Sequence, residues 1–479
     1  MKKLYEIYDK NVNLIQSNLL NREDLICREL EIGKHHFAVM YILGLCDSEN
    51  ISKLIISPIT KSNIDGDVIE ELTTKILLYS ELNQESDCDK IVSEVLKGKA
   101  VLICDDESQA IIIELDKHSE RSITEPPTSA VIRGPRNGFV ENIKTNLSSL
   151  KNILQTKYFT TKSLSIGKET QTSVAMVYLS NIADQKIVDE IEKKLKMIDI
   201  DGILDSYYIA QFLETRKGSM FKQVGSTEKP DIVASKLLEG RVAIIVDNSP
   251  FVLTLPFILL EEMQGSNDYY SEKTHATMVR IIRLLSLFVT ILLPGMYIAI
   301  ELFHYRAIPL KYLITILNTT QGLPLTPLLE IVFVLVLFEI LYEASIRMPR
   351  YLGQAMSIVG ALILGDTAVK AGIVSPPAVM VVALSSISIY IIPDSSSQLS
   401  LLRFLFCLAG GLLGFYGITG GFIFLLLYLN DFDAYNTPYL GPVAPYIASD
   451  MKDFAVKADL TNMKTRPKSI PNHNQRRQT

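Results

Sequence analysis

The sequence predicts a chain in two parts: two related cytosolic α/β subdomains, then a polytopic α-helical membrane domain. Three observations carry that reading. Before Ile281 the chain is ordinary charged, globular sequence with no membrane signal. Between Ile281 and Leu429 it becomes a series of apolar segments long enough to cross a bilayer. Within the charged part, two stretches repeat one another at a spacing near 140 residues.

The totals set bounds on the rest. The 479 residues leave room for two or three domains. The 48% hydrophobic and 21% charged residues average two unlike halves, and the net charge of −6 argues against nucleic-acid binding. Cys27, Cys46, Cys88, Cys104 and Cys407 are odd in number and form no CxxC pair, which argues for a reducing compartment rather than a disulfide framework. The opening MKKLYEIYDKNVNLIQ has two lysines and no apolar core, so it is not a secretory signal, and the soluble half is expected on the cytosolic side. The expected organisation is residues 1–129 as the first α/β subdomain and 130–265 as the second, with a linker helix. A transmembrane domain at 266–430 and a polar basic tail at 431–479 complete it.

The duplication is read from VSEVLKGKAVLICDDESQAIIIEL, Val92 to Leu115, and VASKLLEGRVAIIVDNSPFVLTL, Val233 to Leu255. In each, a short helix ends at a glycine suited to the left-handed C′ position, Gly98 or Gly240. A basic residue follows, Lys99 or Arg241, and then a Val/Ile-rich run closing on Asp105 or Asp247. Continuous apolar runs of this kind read as strands buried on both faces. Upstream, YILGLCD (Tyr41 to Asp47) echoes YLSNIAD (Tyr178 to Asp184), and each aspartate is placed to cap a following helix. Between the copies, Glu125-Pro126-Pro127-Thr128 reads as a stiff linker. Arg133 to Gly138 reads as a turn, with a helix starting near Phe139 and Glu141 and Asn142 in its first turn. The bland reading makes these solvated charges; the sharper one has Arg133, Arg136 and Glu141 docking the linker onto a neighbouring domain.

The membrane half divides into apolar segments at 281–303, 325–342, 356–375, 378–392 and 399–429. Basic residues at Arg280, Arg283, Arg347, Arg350 and in the tail fall on one side only if the chain crosses an even number of times. Five segments cannot do so if each crosses once. Either a segment beside Pro376-Pro377 is re-entrant, or Leu399–Leu429 folds back on itself. Ionisable residues in these segments are costly and mark an ion path or subunit contact: Glu330, Glu339, Asp366 and Lys370, together with the break at Pro376 and Pro377. Asp366 and Lys370 are four apart and can neutralise each other. Glu343 and Arg347 also share a face and read as a structural pair. Glu330 and Glu339 fall on opposite faces of one helix at about 100° per residue.

From RGPRNGFVENIKTN onward, through YLSNIAD, KPDIVASKLLEGRVAIIVDNSPFVLTLPF, QGLPLTPLLE and FEILYEASIRMPRYLGQAMSIVGALILGDTAVKAGIVSPPAVMVVAL, the chain resembles the A subunit of GerA-type spore germinant receptors. Asn137 and Asn142 stand where that family often carries acidic residues. The resemblance implies a multi-pass protein of the bacterial spore inner membrane, with its N-terminal domain on the core side. It implies a homo-oligomer that works with a permease-like B subunit and a lipoprotein C subunit among membrane lipids. The function it implies is to form or gate an ion path when a nutrient is sensed. A SpoVA-locus paralogue in the same membrane and a secondary transporter are the alternatives. No GxxxxGK[ST], HExxH or kinase signature occurs, and His35-His36 lack ligand partners, so no enzyme activity, cofactor or metal is expected.

Overall fold

The structure, a computed structural model, describes residues 3–20, 22–62, 68–77, 82–114, 133–348 and 365–478. The expected linker Glu125–Thr128 and residues 356–364 of the expected 356–375 span lie outside the described residues.

The charged half folds around two five-stranded sheets. In the first, α1 (Tyr8–Asn18) precedes β1 (Leu25–Ile32) and β2 (His35–Ile42), followed by helices α2 (residues 48–61) and α3 (residues 68–76). Then come β3 (Leu82–Glu85), α4 (Cys88–Leu96), β4 (Ala100–Cys104) and β5 (Ala110–Ile113). In the second, α5 (Ile143–Ile153), β6 (Phe159–Ile166) and β7 (Thr172–Leu179) precede α6 (Gln185–Lys196) and α7 (Ser206–Leu213). It closes with β8 (Gly225–Thr227), α8 (Pro230–Leu238), β9 (Val242–Val246) and β10 (Val252–Leu255). The strand orders are β1-β2-β4-β5-β3 and β6-β7-β9-β10-β8, the same path traced twice.

Helices cover both faces of each sheet, and alternation along the central strands supplies both cores. In β4, Val101 and Ile103 meet α1 and α4, whereas Ala100, Leu102 and Cys104 meet α2 and α3. In β9, Ala243 and Ile245 meet α5 and α8, whereas Val242, Ile244 and Val246 meet α6 and α7. Each such Val or Ile contributes roughly 1.5–3 kcal/mol on burial. Every ladder in both sheets is antiparallel, so the continuous apolar runs report two-sided coverage and not parallel pairing.

The punctuation residues fall where local chemistry puts them. Gly98 and Gly240 have φ of +96° and +101° after α4 and α8. Asp47 and Asp184 accept the N–H groups of Glu49 and Lys186 and so begin α2 and α6. The linker helix differs from expectation. It starts at Ile143 rather than near Phe139, because Asn142 caps it by accepting the Lys144 and Thr145 N–H groups. Glu141 therefore lies outside the first turn.

The second half is a helical bundle of α9 (Lys273–Phe303), α10 (Leu310–Thr320), α11 (Pro327–Arg347), α12 (Pro376–Ile389) and α13 (Ser396–Asn430). Among the described residues, two helical stretches are long and apolar enough to cross a membrane, Lys273–Phe303 and Pro393–Asn430. Helix α12 is apolar but short, and α11 carries Glu330, Glu339, Glu343 and Arg347. Pro376-Pro377 does not interrupt a helix; the pair occupies the first positions of α12, where an absent N–H costs nothing, and the Ser375 hydroxyl caps the same turn.

Helix α13 is a hairpin. Its Gly414, at φ +61° and ψ −144°, takes a conformation that residues with a Cβ rarely adopt, and the chain reverses there. A Cβ at Gly417 would fall 2.3 Å from the Ala409 carbonyl oxygen, and one at Gly421 would fall 3.5 Å from the Phe406 ring. On a straight helix residues 409 and 417 would be about 12 Å apart. Leu399 on the first arm and Leu429 on the second join one core with Phe257 and Ile258 of the soluble half. Both arms thus end at the soluble half. Leu399–Leu429 therefore folds back on itself.

Residues 431–478 are not a free polar tail. Their average composition conceals Phe432, Tyr435, Tyr439 and Ile470, all buried. The segment straps onto the second sheet unit: Tyr435 Oη donates to the Leu213 carbonyl at 2.6 Å, the His473 N–H to that of Ile182 at 2.8 Å, and Arg466 Nε to that of Leu238 at 2.6 Å.

Candidate functional site

The polar groups inside the bundle form two layers. The first lies near the soluble half and centres on Arg403 in the first arm of α13. Arg403 is 2% exposed and binds Glu339 of α11 at 2.7 Å. It also donates to the Ser385 and Ser386 hydroxyls of α12 at 3.3 and 3.1 Å, while Ser400 donates to the same Glu339 carboxylate. Ser385 and Thr290 exchange hydroxyl-to-carbonyl hydrogen bonds between α12 and α9, at 3.0 and 3.4 Å. One charge pair with its donors largely satisfied joins four helical segments, as burial of charge requires. Glu339 is therefore held by a cation, and its partner is not the Glu343–Arg347 pair. Those two residues pair with each other on the outside of α11 at 2.6 Å.

The second layer lies toward the far end. Glu330, 1% exposed, accepts the Ser375 N–H at the start of α12, where the helix dipole favours a negative charge. Beside it on α9 are Tyr297 and Glu301, whose hydroxyl and one carboxylate oxygen are buried without a well-formed hydrogen bond. Among the described residues neither Glu301 nor Glu330 has a salt bridge to a basic side chain. Two carboxyl groups, a phenol and a serine thus converge without a cation. Asp366 and Lys370 do not join them; they pair with each other at 2.6 Å on an exposed helical turn.

Sequence reasoning singled out Glu330 and Glu339 but passed over Glu301 and Arg403. The signal was present: Glu301 and Arg403 are charges inside apolar runs, and Tyr297 is one turn before Glu301.

At the base of α9 a second set of charges welds bundle, tail and soluble half together. Asp268, 2% exposed, accepts Arg280 Nε at 3.0 Å and Arg283 at 2.7 Å. Arg280 also binds Asp453 of the tail at 2.7 Å, and Tyr269 Oη donates to Asp453 at 2.6 Å. The linker also reaches this junction. Gly134 lies so close to the Tyr270 ring that a Cβ there would come within 2.5 Å of it. Arg133 is exposed and forms no ion pair among the described residues; it lines a cleft of about 430 Å³ with Asn267, Asp268, Glu272 and His275. Arg136 and Glu141 are likewise exposed, and Glu141 takes part through its carbonyl, which accepts the Asn248 N–H.

Residues 13–469 match the family described as Bacillus/Clostridium GerA spore germination protein. The chain is 36% identical to spore germination protein KA of Bacillus subtilis over 98% of its own length and 88% of that protein. It is 35% identical to the uncharacterized membrane protein YfkQ of the same organism, over 93% of the chain and 87% of that protein. Among solved structures it is similar to the N-terminal domain of the A subunit of the Bacillus megaterium spore germinant receptor GerK3. That match has 30% identity and a TM-score of 0.42, over 53% of this chain and 96% of that one. The chain belongs to the GerA family of spore germination proteins.

Proposed function

We propose that this chain is the A subunit of a nutrient germinant receptor, and that its bundle spans the spore inner membrane and gates or conducts ions. Several features support the membrane reading. The outer surface of the bundle is apolar, with Leu412, Tyr416 and Phe424 strongly exposed. The two arms of α13 return the chain to the side it left, and the strapped tail places both ends of the bundle with the soluble half. An even number of crossings fits both facts. In this reading the nutrient is sensed by the permease-like partner, and this chain answers it.

The observation that carries ion conduction is the Glu301–Glu330 layer. Glu330 accepts the Ser375 N–H at the start of α12, so the Glu301 carboxylate, which faces Tyr297 but no basic side chain among the described residues, is the group left to meet a passing cation. Potassium release from liposomes containing the chain and its B and C partners tests this. Replacing Glu301 or Glu330 by glutamine is expected to cut nutrient-evoked release by roughly tenfold or more, the scale of one lost charge contact at a low-dielectric site. Glu343→Gln, on the outside, is expected to leave release unchanged. Full release from both Glu301→Gln and Glu330→Gln would remove this layer from the path.

A further inference from the structure

We infer that helix α10, Leu310–Thr320, is an interfacial anchor that lies flat on the leaflet remote from the soluble half. Its partner is the headgroup–acyl boundary of an anionic bilayer, so the inference rests on the membrane reading above.

None of the eleven residues of α10 is buried. At 100° per residue Leu310, Leu313, Ile314, Ile316 and Leu317 fall on one side, with Tyr312 at its edge. Lys311, Thr315, Asn318 and Thr319 fall together on the other. A helix of this type buries its apolar arc a few ångströms into the boundary and keeps the polar arc toward water. The Thr315, Thr319 and Thr320 hydroxyls donate back to carbonyls one turn earlier, which spares them a need for water at that depth.

Position supports the same partner. The helix follows α9, whose stretch from Arg283 to Phe303 spans about 30 Å, the thickness of the hydrocarbon layer. With Arg283 fixed at the near interface, Phe303 and α10 come to the opposite one. Apolar exposure continues across the join from Leu302 and Phe303 into α10, and resumes at Leu329. From His304 to Thr326 there is no acidic residue, while Arg306 and Lys311 are basic, so the segment matches an anionic surface. Exposed Tyr305 and Tyr312 suit the same depth.

Single cysteines carrying an environment-sensitive fluorophore test this in the full chain, with Cys27→Ser, in nanodiscs of phosphatidylglycerol and phosphatidylethanolamine. At Ile314→Cys and Leu317→Cys the emission should shift blue. Lipids spin-labelled near the headgroup should quench those sites roughly twofold more than lipids labelled at the chain end, as a shallow helix requires. At Thr315→Cys and Asn318→Cys aqueous iodide should quench instead. Equal iodide quenching at all four sites overturns the inference. So does protection of Ile314→Cys and Leu317→Cys from both quenchers together with disulfide cross-links between copies, which would make α10 a subunit contact. Leu405→Cys, on the outer face of α13, separates the two readings. If deep spin labels quench it while α10 stays in water, only the anchor is lost; if it too is in water, the membrane reading falls.

Discussion

The two sheet units trace one fold but handle the same residue in different ways. Lys99 and Arg241 each follow the glycine that ends a helix, and each precedes the central strand. Lys99 stays at the surface, pairing with Glu94 and Glu114 of its own unit at 3.0 Å each. Arg241 is 3% exposed; it binds Glu261 and donates to the Pro256 carbonyl at 2.8 Å, both on the segment leading to the bundle. Around Gly98 the nearest neighbour is Leu45 of the same unit, whereas around Gly240 it is Asn472 of the tail. At this corner the first copy pairs within itself, whereas the second has turned the corner into a joint with the segment leading to the bundle. The fold was duplicated, and among the described residues the coupling to the bundle comes from the second copy.

The strongest way to break that comparison is to remove the two basic residues in turn. Arg241→Ala leaves Glu261 buried beside Lys236 alone and should cost about 3–5 kcal/mol, as for one partner of a buried ion pair. Lys99→Ala should cost less, about 1 kcal/mol, because its half-buried pairs leave both carboxylates within reach of water. Thermal unfolding of the detergent-solubilised full chain measures both, and equal losses would abolish the distinction. Acid offers a second view. Burial alone would raise the Glu261 pKa, but Arg241 and Lys236 outweigh it and hold the carboxyl at about 2, below its ordinary value of 4.5. A lowered folded-state pKa gives stability that is present above 4.5 and lost as pH falls toward 2. Arg241→Ala should flatten that acid limb, and Lys99→Ala should not.

Much of the duplicated half was legible because its punctuation is chemical. Gly98, Gly240, Asp47 and Asp184 are residue types that few others replace at a C′ or N-cap position, and two-sided burial makes β4 and β9 continuously apolar. What escaped reading depended on partners distant in the chain. The turn at Gly414 is one glycine among six between Gly410 and Gly421, and only contact with the opposite arm distinguishes it. The strapped tail was hidden because a few buried aromatics are diluted by many polar neighbours. In the bundle, Glu339 and Arg403 are 64 residues apart, so no helical spacing pairs them.

The duplication also extends further toward the N-terminus than the sequence echo. Asn11 accepts the Tyr5 N–H at 2.7 Å and donates to the Tyr5 carbonyl at 2.6 Å. Asn146 makes the same two bonds with Val140, at 2.9 and 2.5 Å. Just before these loops, the Leu4 N–H binds the Ser86 carbonyl and the Phe139 N–H binds that of Glu228. Flanking sequences as unlike as KLYEIYDKN and GFVENIKTN therefore fold into one clasp on α1 and α5. Both asparagines are fully buried, so Asn11→Ala and Asn146→Ala should each cost about 1–3 kcal/mol, the penalty for orphaning buried backbone groups. Near-equal losses in denaturant unfolding would extend the repeat to these helices; a large loss at one and none at the other would confine it to the strands.

The finest discrimination comes from the helix caps. Asp47 and Asp184 each accept one N–H at the start of α2 and α6, and replacing such a residue by alanine ordinarily costs about 1 kcal/mol. In the second unit the tail is also present: the Gln185 N–H points at His473 Nε2 at 3.4 Å, and Ala183 bridges to Asn472. The start of α6 thus has a second support that α2 lacks, and Asp184→Ala should cost less than Asp47→Ala. Adding His473→Ala to Asp184→Ala should then restore the full loss, with the shortfall appearing as a coupling energy in the double-mutant cycle. If instead Asp184→Ala proves the costlier change and His473→Ala adds nothing, the tail is a passenger on the second unit, and the joint rests on Arg241, Asp268 and Arg280 without it.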